Sequence, residues 1–333
     1  MNKSLSRLAC STAAVCGLLC SAQVLAEPSS IQFYLRTTGD TFMMNFGDDL
    51  RNKAGKSNMS MITYDAVDKS SEQREQIKKQ SMNSGLMVVD IVDPADGDDF
   101  GNIISKKEAT VIFVNRKPEG DFLKNYEKAW YVGCISEQAG KLQSEMIINH
   151  IKKNGFDDRN RNGVLDILLF RGPEDHQDAI ARTKMIKEAL DASGIKYKFT
   201  YDFMCAWSFE KAFSETMNIA EKGKLNDIDM VISNNDDMAL GAMMAMDDYN
   251  DFSEEYKKPP IFGIDAIPSA VAAVRDGQMT GTIIQDYSKM ADVTIAIAKG
   301  ETDLKKLSKI ANTVIKDHYI YIPYAKVTQV EFK

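Results

Sequence analysis

The chain has 333 residues and a formal net charge of −7, with 44% hydrophobic and 27% charged residues. This length allows about two domains with cores of their own, and the composition is ordinary for a globular protein. The acidic balance argues against a nucleic-acid partner. Past the N-terminus, no stretch of the sequence approaches the roughly 20 apolar residues of a membrane span.

The first residues are typical of an export signal. Lys3 and Arg7 precede an apolar run rich in small residues, and a suitable cleavage site ends at Ala26, before Glu27. We therefore expect residues 1–26 to be removed as a signal peptide and the mature protein to be exported.

Two cysteines, Cys134 and Cys205, remain after that segment. An oxidising compartment would permit a disulfide between them. However, the sequence does not place the two residues within the short reach that a disulfide requires. Two buried thiols are the alternative that we prefer.

Apolar strand-like runs then alternate with amphipathic helical patterns along the chain. The predicted strands are residues 31–35, 87–91, 110–114, 130–133, 167–170, 230–233, 261–264, 281–284 and 319–324. The clearest helical patterns begin at about residue 42 and cover residues 72–82, 137–151 and 287–299. Such alternation is typical of parallel sheets with helices on both faces. Because one sheet does not hold so many strands comfortably, the sequence predicts two α/β lobes.

Polar and aromatic side chains follow the carboxyl ends of these strands, which is where ligands bind in open α/β sheets. The candidates are Asp40, Phe42, Asn115, His176, Asp178, Arg182, Trp207, Asn235, Asp265 and Gln285. Taken singly, each has a simpler explanation, because an Asp or Asn after a strand is often a helix cap and an aromatic residue is often part of the core. Taken together, they predict a ligand site.

The chemistry of this set suits an uncharged, polyhydroxylated ligand. A hydroxyl both donates and accepts, so a carboxylate can take its proton while an arginine or an amide donates one back. The apolar C–H face of a pyranose suits a flat aromatic ring. The glycine-rich GxGxxG and GxxxxGK[ST] loops of dinucleotide and phosphate sites are absent from the sequence.

A second candidate site lies in the stretch DDRNRNGVLD, where oxygen-bearing side chains recur at alternate positions. Its candidate ligands are Asp158, Asn160, Asn162, the Val164 carbonyl and Asp166. Gly163 permits a sharp turn that would direct these oxygens toward one cation. Because Leu169 stands where a helix-loop-helix calcium sensor needs a glutamate, that class is excluded. The alternative is an Asn/Gly-rich turn held by side-chain hydrogen bonds to the backbone.

Five long stretches of the sequence resemble stretches of one known protein family. They are IQFYLRTTGDTFMM, VIFVNRKP, HQDAIART, VISNNDDMALGAM and IFGIDAIPSAVAAVRDGQMTGTII. Over residues 31–324, the sequence resembles the periplasmic galactose/glucose-binding proteins of bacterial ABC sugar transporters.

This resemblance implies the type I periplasmic binding protein fold, in which two Rossmann-like lobes are joined by three hinge crossings. The N-terminal lobe would comprise residues 27–133 and about 287–313, and the C-terminal lobe about 135–284 and about 317–333. The implied function is periplasmic capture of galactose or glucose, or both, for delivery to an ABC permease, without enzymatic activity. A chemoreceptor is a further implied partner.

The resemblance also implies roles for single residues. The eight polar candidates would contact the sugar, and Phe42 and Trp207 would cover the two faces of its ring. Gln285 departs from the family pattern, which has an asparagine there, so that contact would shift by about a methylene. The loop at residues 158–166 would hold a structural calcium ion, with Asp229 as a distant ligand. The loop departs from the family at Asn162, Val164 and Asp166, although three carboxylates remain.

Three alternatives remain at this point. The ligand could be a different monosaccharide. A carbohydrate-active enzyme could use Asp40 and Asp178 as acid and base, but Arg182 would hold Asp178 ionised, which does not suit a catalytic acid. A sugar-sensing domain of a transcription repressor shares this fold, but it would need a helix-turn-helix where the export signal stands.

Overall fold

The computed structural model describes residues 30–80, 85–106, 108–250, 256–315 and 317–332. The predicted signal peptide therefore lies outside the described residues. The last two residues of the helix predicted at 72–82 also lie outside them.

The described chain alternates strands and helices. The strands are β1 (Ser30–Leu35), β2 (Ser60–Asp65), β3 (Leu86–Val89), β4 (Thr110–Val114), β5 (Ala129–Gly133), β6 (Leu165–Arg171), β7 (Tyr197–Met204), β8 (Met230–Ser233), β9 (Ile261–Phe262), β10 (Gly281–Ile284), β11 (Tyr319–Tyr321) and β12 (Ala325–Thr328). The helices are α1 (Thr41–Lys56), α2 (Ser70–Gln80), α3 (Gly97–Ser105), α4 (Phe122–Asn125), α5 (Ser136–Asn154), α6 (Gln177–Ser193), α7 (Phe209–Glu221), α8 (Asp236–Asn250), α9 (Pro268–Arg275), α10 (Tyr287–Ala298) and α11 (Leu304–Ala311). In these parts of the chain, no helix combines the length and the apolar character needed to cross a membrane.

The strands form two six-stranded sheets, in the orders β11-β5-β4-β3-β1-β2 and β12-β10-β9-β8-β6-β7. Among the described strands, only the pairing of β10 with β12 is antiparallel. Strands β3, β5 and β8 are buried along their whole length, because helices cover both faces of a parallel sheet. The predicted fold class, two α/β lobes with mostly parallel sheets, is confirmed.

The strands that the sequence did not predict, β2, β7 and β12, all lie at sheet edges. Most of their residues are partly buried or exposed, as in SMITYD and YKFTYDFM. An edge strand meets solvent on one side and keeps polar residues there. Such strands therefore lack the continuous apolar run by which the inner strands were recognised.

The chain crosses between the lobes three times. The first crossing is Cys134 and Ile135, between β5 and α5, and the second is Gln285 and Asp286, between β10 and α10. The third is residues 322–324, between β11 and β12. Cys134 is buried, as is Cys205, and the two form no disulfide.

The last two crossings define which lobe the C-terminal segments join. Helix α10 returns to the first lobe, where Lys53 of α1 bonds the Ser288 carbonyl at 2.6 Å. Strand β11 then pairs with β5, placing Tyr319 opposite Tyr131 in the first sheet. The tail therefore enters the second lobe only at Ala325, and its predicted entry at about residue 317 is corrected. The run Tyr-Ile-Tyr extends the first sheet instead of leaving it.

Candidate functional site

A small cavity of about 30 Å³ lies between the two lobes, at the carboxyl ends of their strands. Its lining consists of Asp40, Phe42, Asn115, His176, Asp178, Arg182, Trp207, Asn235, Asp265 and Gln285. The structure thus brings together all ten residues of the predicted ligand site.

Three of the lining residues are also helix caps. Asp40 accepts the backbone N–H of Met43 at 3.1 Å at the start of α1. His176 caps α6, and Asn235 accepts the N–H of Met238 at 3.1 Å. The cap and the ligand roles are therefore compatible, because a carboxylate or amide that satisfies a helix terminus keeps further hydrogen-bonding capacity.

Three lining residues adopt a backbone conformation that side chains rarely take. The φ angle is 62° at Asn115, 69° at Trp207 and 121° at Asp265. Such conformations cost free energy and persist where the surrounding structure holds them, commonly at ligand sites. Their concentration around one cavity supports a functional role for this region.

Trp207 is held by close packing on several sides. A Cβ atom added to Gly172 would lie 2.2 Å from the indole, so only glycine leaves room for the ring. The His176 ring meets the indole edge-on with centroids 5.0 Å apart, and the Arg182 guanidinium lies 5.8 Å from its centroid. The other aromatic residue, Phe42, packs edge-on against Tyr287 at 6.0 Å.

Arg182 is the central cation of the cavity and is only 3% exposed. Its guanidinium lies 3.4 Å from Asp178 and 3.7 Å from Asp265. Burial lowers the pKa of Arg182, but Tyr324 and the two carboxylates outweigh that effect and raise it. Burial likewise raises the pKa of Asp178, but Arg182 and His176 outweigh it and the pKa is lowered. This side-chain pair is therefore ionised, and among the described residues that line the cavity it leaves no unpaired cation to attract an anionic ligand.

His176 is a neutral donor. Burial, the largest cause, lowers its pKa to about 3. Its Nδ1 accepts the backbone N–H of Asp178 at 3.2 Å, which assigns the proton of the neutral ring to Nε2. The pKa of Asp265 shifts in the other direction: burial raises it despite the nearby Arg182.

Several residues that support the cavity were not predicted. Arg36 directly follows β1 and binds the Asp40 carboxylate at 3.0 Å, and its backbone N–H bonds Asp90 at 3.3 Å. Ser136 donates to Asp178. Arg36 and Asp90 carry the same signal as the predicted residues, a polar side chain at the end of a strand.

The loop at residues 158–166 is held by its own hydrogen bonds. The Asp158 carboxylate accepts the backbone N–H groups of Asn162 at 2.9 Å and Gly163 at 2.8 Å. The side-chain oxygens of Asn160 and Asn162 accept from the N–H groups of Asn162 and Val164 at 3.1 and 2.7 Å. This is the bonding that the Asn/Gly-rich turn alternative predicts.

The other two carboxylates of the predicted calcium site, Asp166 and Asp229, also bind protein groups. Asp229 accepts the backbone N–H of Asp166 at 2.8 Å, and Lys198 Nζ lies 2.8 Å from the Asp166 carboxylate. The described residues include no group of three or more His, Cys, Asp or Glu side chains arranged to hold a metal ion. The donors are still the oxygens that calcium prefers. Calcium would compete with Lys198 for Asp166, and the calcium site stays a prediction.

The two α/β lobes, the three crossings and the polar cavity between them define a two-lobed solute-binding protein. Residues 31–306 match the family model described as the periplasmic binding protein domain. The chain belongs to this family.

Curated relatives and solved structures agree with that assignment. The D-galactose/methyl-galactoside binding periplasmic protein MglB of Haemophilus influenzae is 29% identical, over 81% of this chain and 80% of the relative. The D-xylose-binding periplasmic protein of the same organism is 26% identical, over 81% and 77%. A solute-binding protein from Actinobacillus succinogenes with bound D-allose has a TM-score of 0.72 at 19% identity, over 91% of this chain and 98% of that chain. All three relatives are binding proteins, and the prediction that the chain is a binding protein and not an enzyme is confirmed.

Proposed function

We propose that this protein captures an uncharged sugar in the periplasm, between its two lobes, and delivers it to an ABC permease. The observation that carries the proposal is the cavity between the lobes, whose lining combines carboxylates, amides, one guanidinium and two aromatic rings. The named ligands of the relatives, galactose, xylose and allose, are all polyhydroxylated and uncharged.

The atoms of the cavity match what sugar hydroxyls require. Asp40 and Asp178 supply acceptors, and the Nε2–H group of His176 supplies a donor. Arg182 Nε is buried and has no hydrogen-bond partner among the described residues. A buried donor without a partner costs free energy, so an incoming ligand oxygen would relieve that cost. Closure of the lobes on the sugar then follows as a population shift, because only the closed state contacts the ligand from both sides.

The finer proposal is that the ligand is a hexose, galactose or glucose. It is supported by the resemblance of the strand-end motifs and by Phe42 and Trp207, which suit the two faces of a pyranose ring. Calorimetric titration with galactose, glucose, xylose, ribose, arabinose and myo-inositol tests it. We expect galactose or glucose to bind tightest. Tighter binding of a pentose would contradict the hexose preference, and binding of none of the six would contradict the sugar proposal itself.

We further propose that a structural calcium ion binds the 158–166 loop, on the strength of its oxygen donors and the family resemblance. Removing calcium with a chelator is expected to lower the melting temperature by a few degrees, since an ion bound only by the folded state stabilises it. Thermal melts of wild type and Asp158→Asn, each with calcium and with chelator, measure this. The variant should lose the response. An unchanged wild-type melting temperature would favour the Asn/Gly-rich turn held by its own hydrogen bonds.

The neutral state of His176 predicts a pH effect on stability. The unfolded state takes up a proton below pH 6.5, whereas the folded pKa is about 3. Stability from this residue is therefore lost as pH falls through that window, by about 2 kcal/mol between pH 7 and pH 5. We expect the unfolding free energy of wild type relative to His176→Gln to shrink by that amount, as measured by denaturant titration of the ligand-free proteins. A difference that is constant with pH would contradict the buried neutral histidine.

A further inference from the structure

Tyr324 lies on the third crossing and does not line the cavity, yet its hydroxyl touches residues that do. It is 6% exposed. Its hydroxyl oxygen accepts a hydrogen bond from Arg182 Nη2 at 3.2 Å, and its O–H group donates to Gln285 Oε1 at 3.1 Å. A segment that joins the lobes thus bonds directly to the central cation of the ligand site.

Gln285, on the second crossing, completes this network with both ends of its amide. Its Oε1 accepts from Arg182 Nη2 at 2.9 Å as well as from Tyr324. Its Nε2 donates to Asn115 Oδ1 at 2.9 Å, which joins the second crossing to the end of β4 in the first lobe. Gln285 is 2% exposed, so its amide is buried with protein partners at both ends. Its longer side chain therefore spans two cavity residues, rather than only moving one sugar contact.

The network determines which donors Arg182 and Asn115 still have for a ligand. Arg182 Nη1 donates to the Asn234 carbonyl at 2.7 Å, and Nη2 donates to Gln285, Tyr324 and Asp178. The Nε–H group of Arg182 is the part of the guanidinium that has no partner among the described residues. Asn115 has its oxygen engaged by Gln285, which leaves its NH2 group. Arg182 and Asn115 therefore offer donors to a ligand, beside the carboxyl groups of Asp178 and Asp265.

We infer that Tyr324 is a positioning residue of the ligand site. It orients the Arg182 guanidinium directly and the Asn115 amide through Gln285, so that the third crossing is energetically coupled to ligand binding. The inference rests on the proposed function, because the donors that it orients are those proposed to meet the sugar.

Tyr324→Phe tests the inference, since it removes only the hydroxyl. We expect a loss of sugar affinity of about tenfold, the effect of one buried hydrogen bond near a charged group. The orientation of Arg182 can be read without ligand from its Nε–H resonance in a 15N-labelled sample, assigned by its disappearance in Arg182→Lys. That resonance should shift in Tyr324→Phe. Tyr321→Phe, a tyrosine of β11 outside the cavity lining, is the matched control and should change neither measurement.

A double-mutant cycle separates positioning from a general loss of stability. In a Gln285→Leu background, Tyr324→Phe should reduce affinity much less than tenfold, because two residues of one network are not additive. An equal loss in both backgrounds, or an unshifted Arg182 resonance, would overturn the inference. If wild type binds no sugar, the proposed function fails, and the ligand-free resonance still decides whether Tyr324 orients Arg182.

Discussion

Replacing Arg182 by lysine is expected to weaken sugar binding by about 100-fold, which corresponds to about 3 kcal/mol. Lysine keeps the positive charge beside Asp178 and Asp265 but lacks the planar fork that reaches the Asn234 carbonyl and Gln285. It also lacks the Nε–H donor, which has no partner among the described residues and is proposed to meet the ligand. Calorimetric titration with the sugar that wild type binds tightest measures the loss.

Arg275→Lys on α9 is the matched control, because Arg275 is more than half exposed and pairs only with its neighbour Asp276 among the described residues. Its affinity should equal that of wild type. The melting temperature of Arg182→Lys must lie above the assay temperature for the comparison to report on the site. An Arg182→Lys variant that binds as tightly as wild type would remove Arg182 from the proposed set of ligand contacts.

The second large effect is expected at Trp207. Trp207→Ala should reduce sugar affinity by about 100-fold, because the variant loses a rigid aromatic surface of the kind that dominates binding energy in buried sites. Gly172→Ala provides a subtler form of the same change. The added methyl would lie 2.2 Å from the indole and force it to move while the tryptophan remains present.

Gly55→Ala is the control for the glycine variant, since nothing lies within 4 Å of its added Cβ atom. It should bind sugar as wild type does, and its melting temperature should not fall. If Gly172→Ala also bound sugar normally, the position of the Trp207 ring would not matter to the ligand. The proposed stacking on Trp207 would then be wrong, even if Arg182 behaved as expected.

The strand-end signal identified the ten cavity residues because of a general property of parallel sheets. The carboxyl ends of neighbouring strands meet at one edge, so Asn115 after β4 and Asn235 after β8 must lie near the gap between the lobes. The same signal applies to Arg36 and Asp90, which support Asp40. Asp90 was missed because it falls inside the strand predicted at residues 87–91, which in the structure ends at Val89.

The C-terminal segment shows a feature that the sequence pattern did not predict. Residues 319–324 form one apolar run in the sequence, yet β11 ends at Tyr321 and a crossing follows. Only the pairing of β11 with β5 and of β12 with β10 determines where the chain changes lobe. Pairing partners lie far away in the sequence, so the local hydrophobic pattern does not predict them.

The sequence by itself determined the two α/β lobes, the inner strands and the residues of the cavity, because hydrophobic periodicity and strand-end position are local properties of the chain. The tertiary structure alone decided the hydrogen-bond partners and the protonation states of those residues. The ionised pair of Asp178 and Arg182, the neutral ring of His176 and the bridge from Tyr324 through Gln285 to Asn115 all depend on burial and on partners from distant segments. Hydrogen bonds and desolvation are set by what surrounds an atom after folding, and for these side chains that environment is assembled from both lobes and the crossings between them.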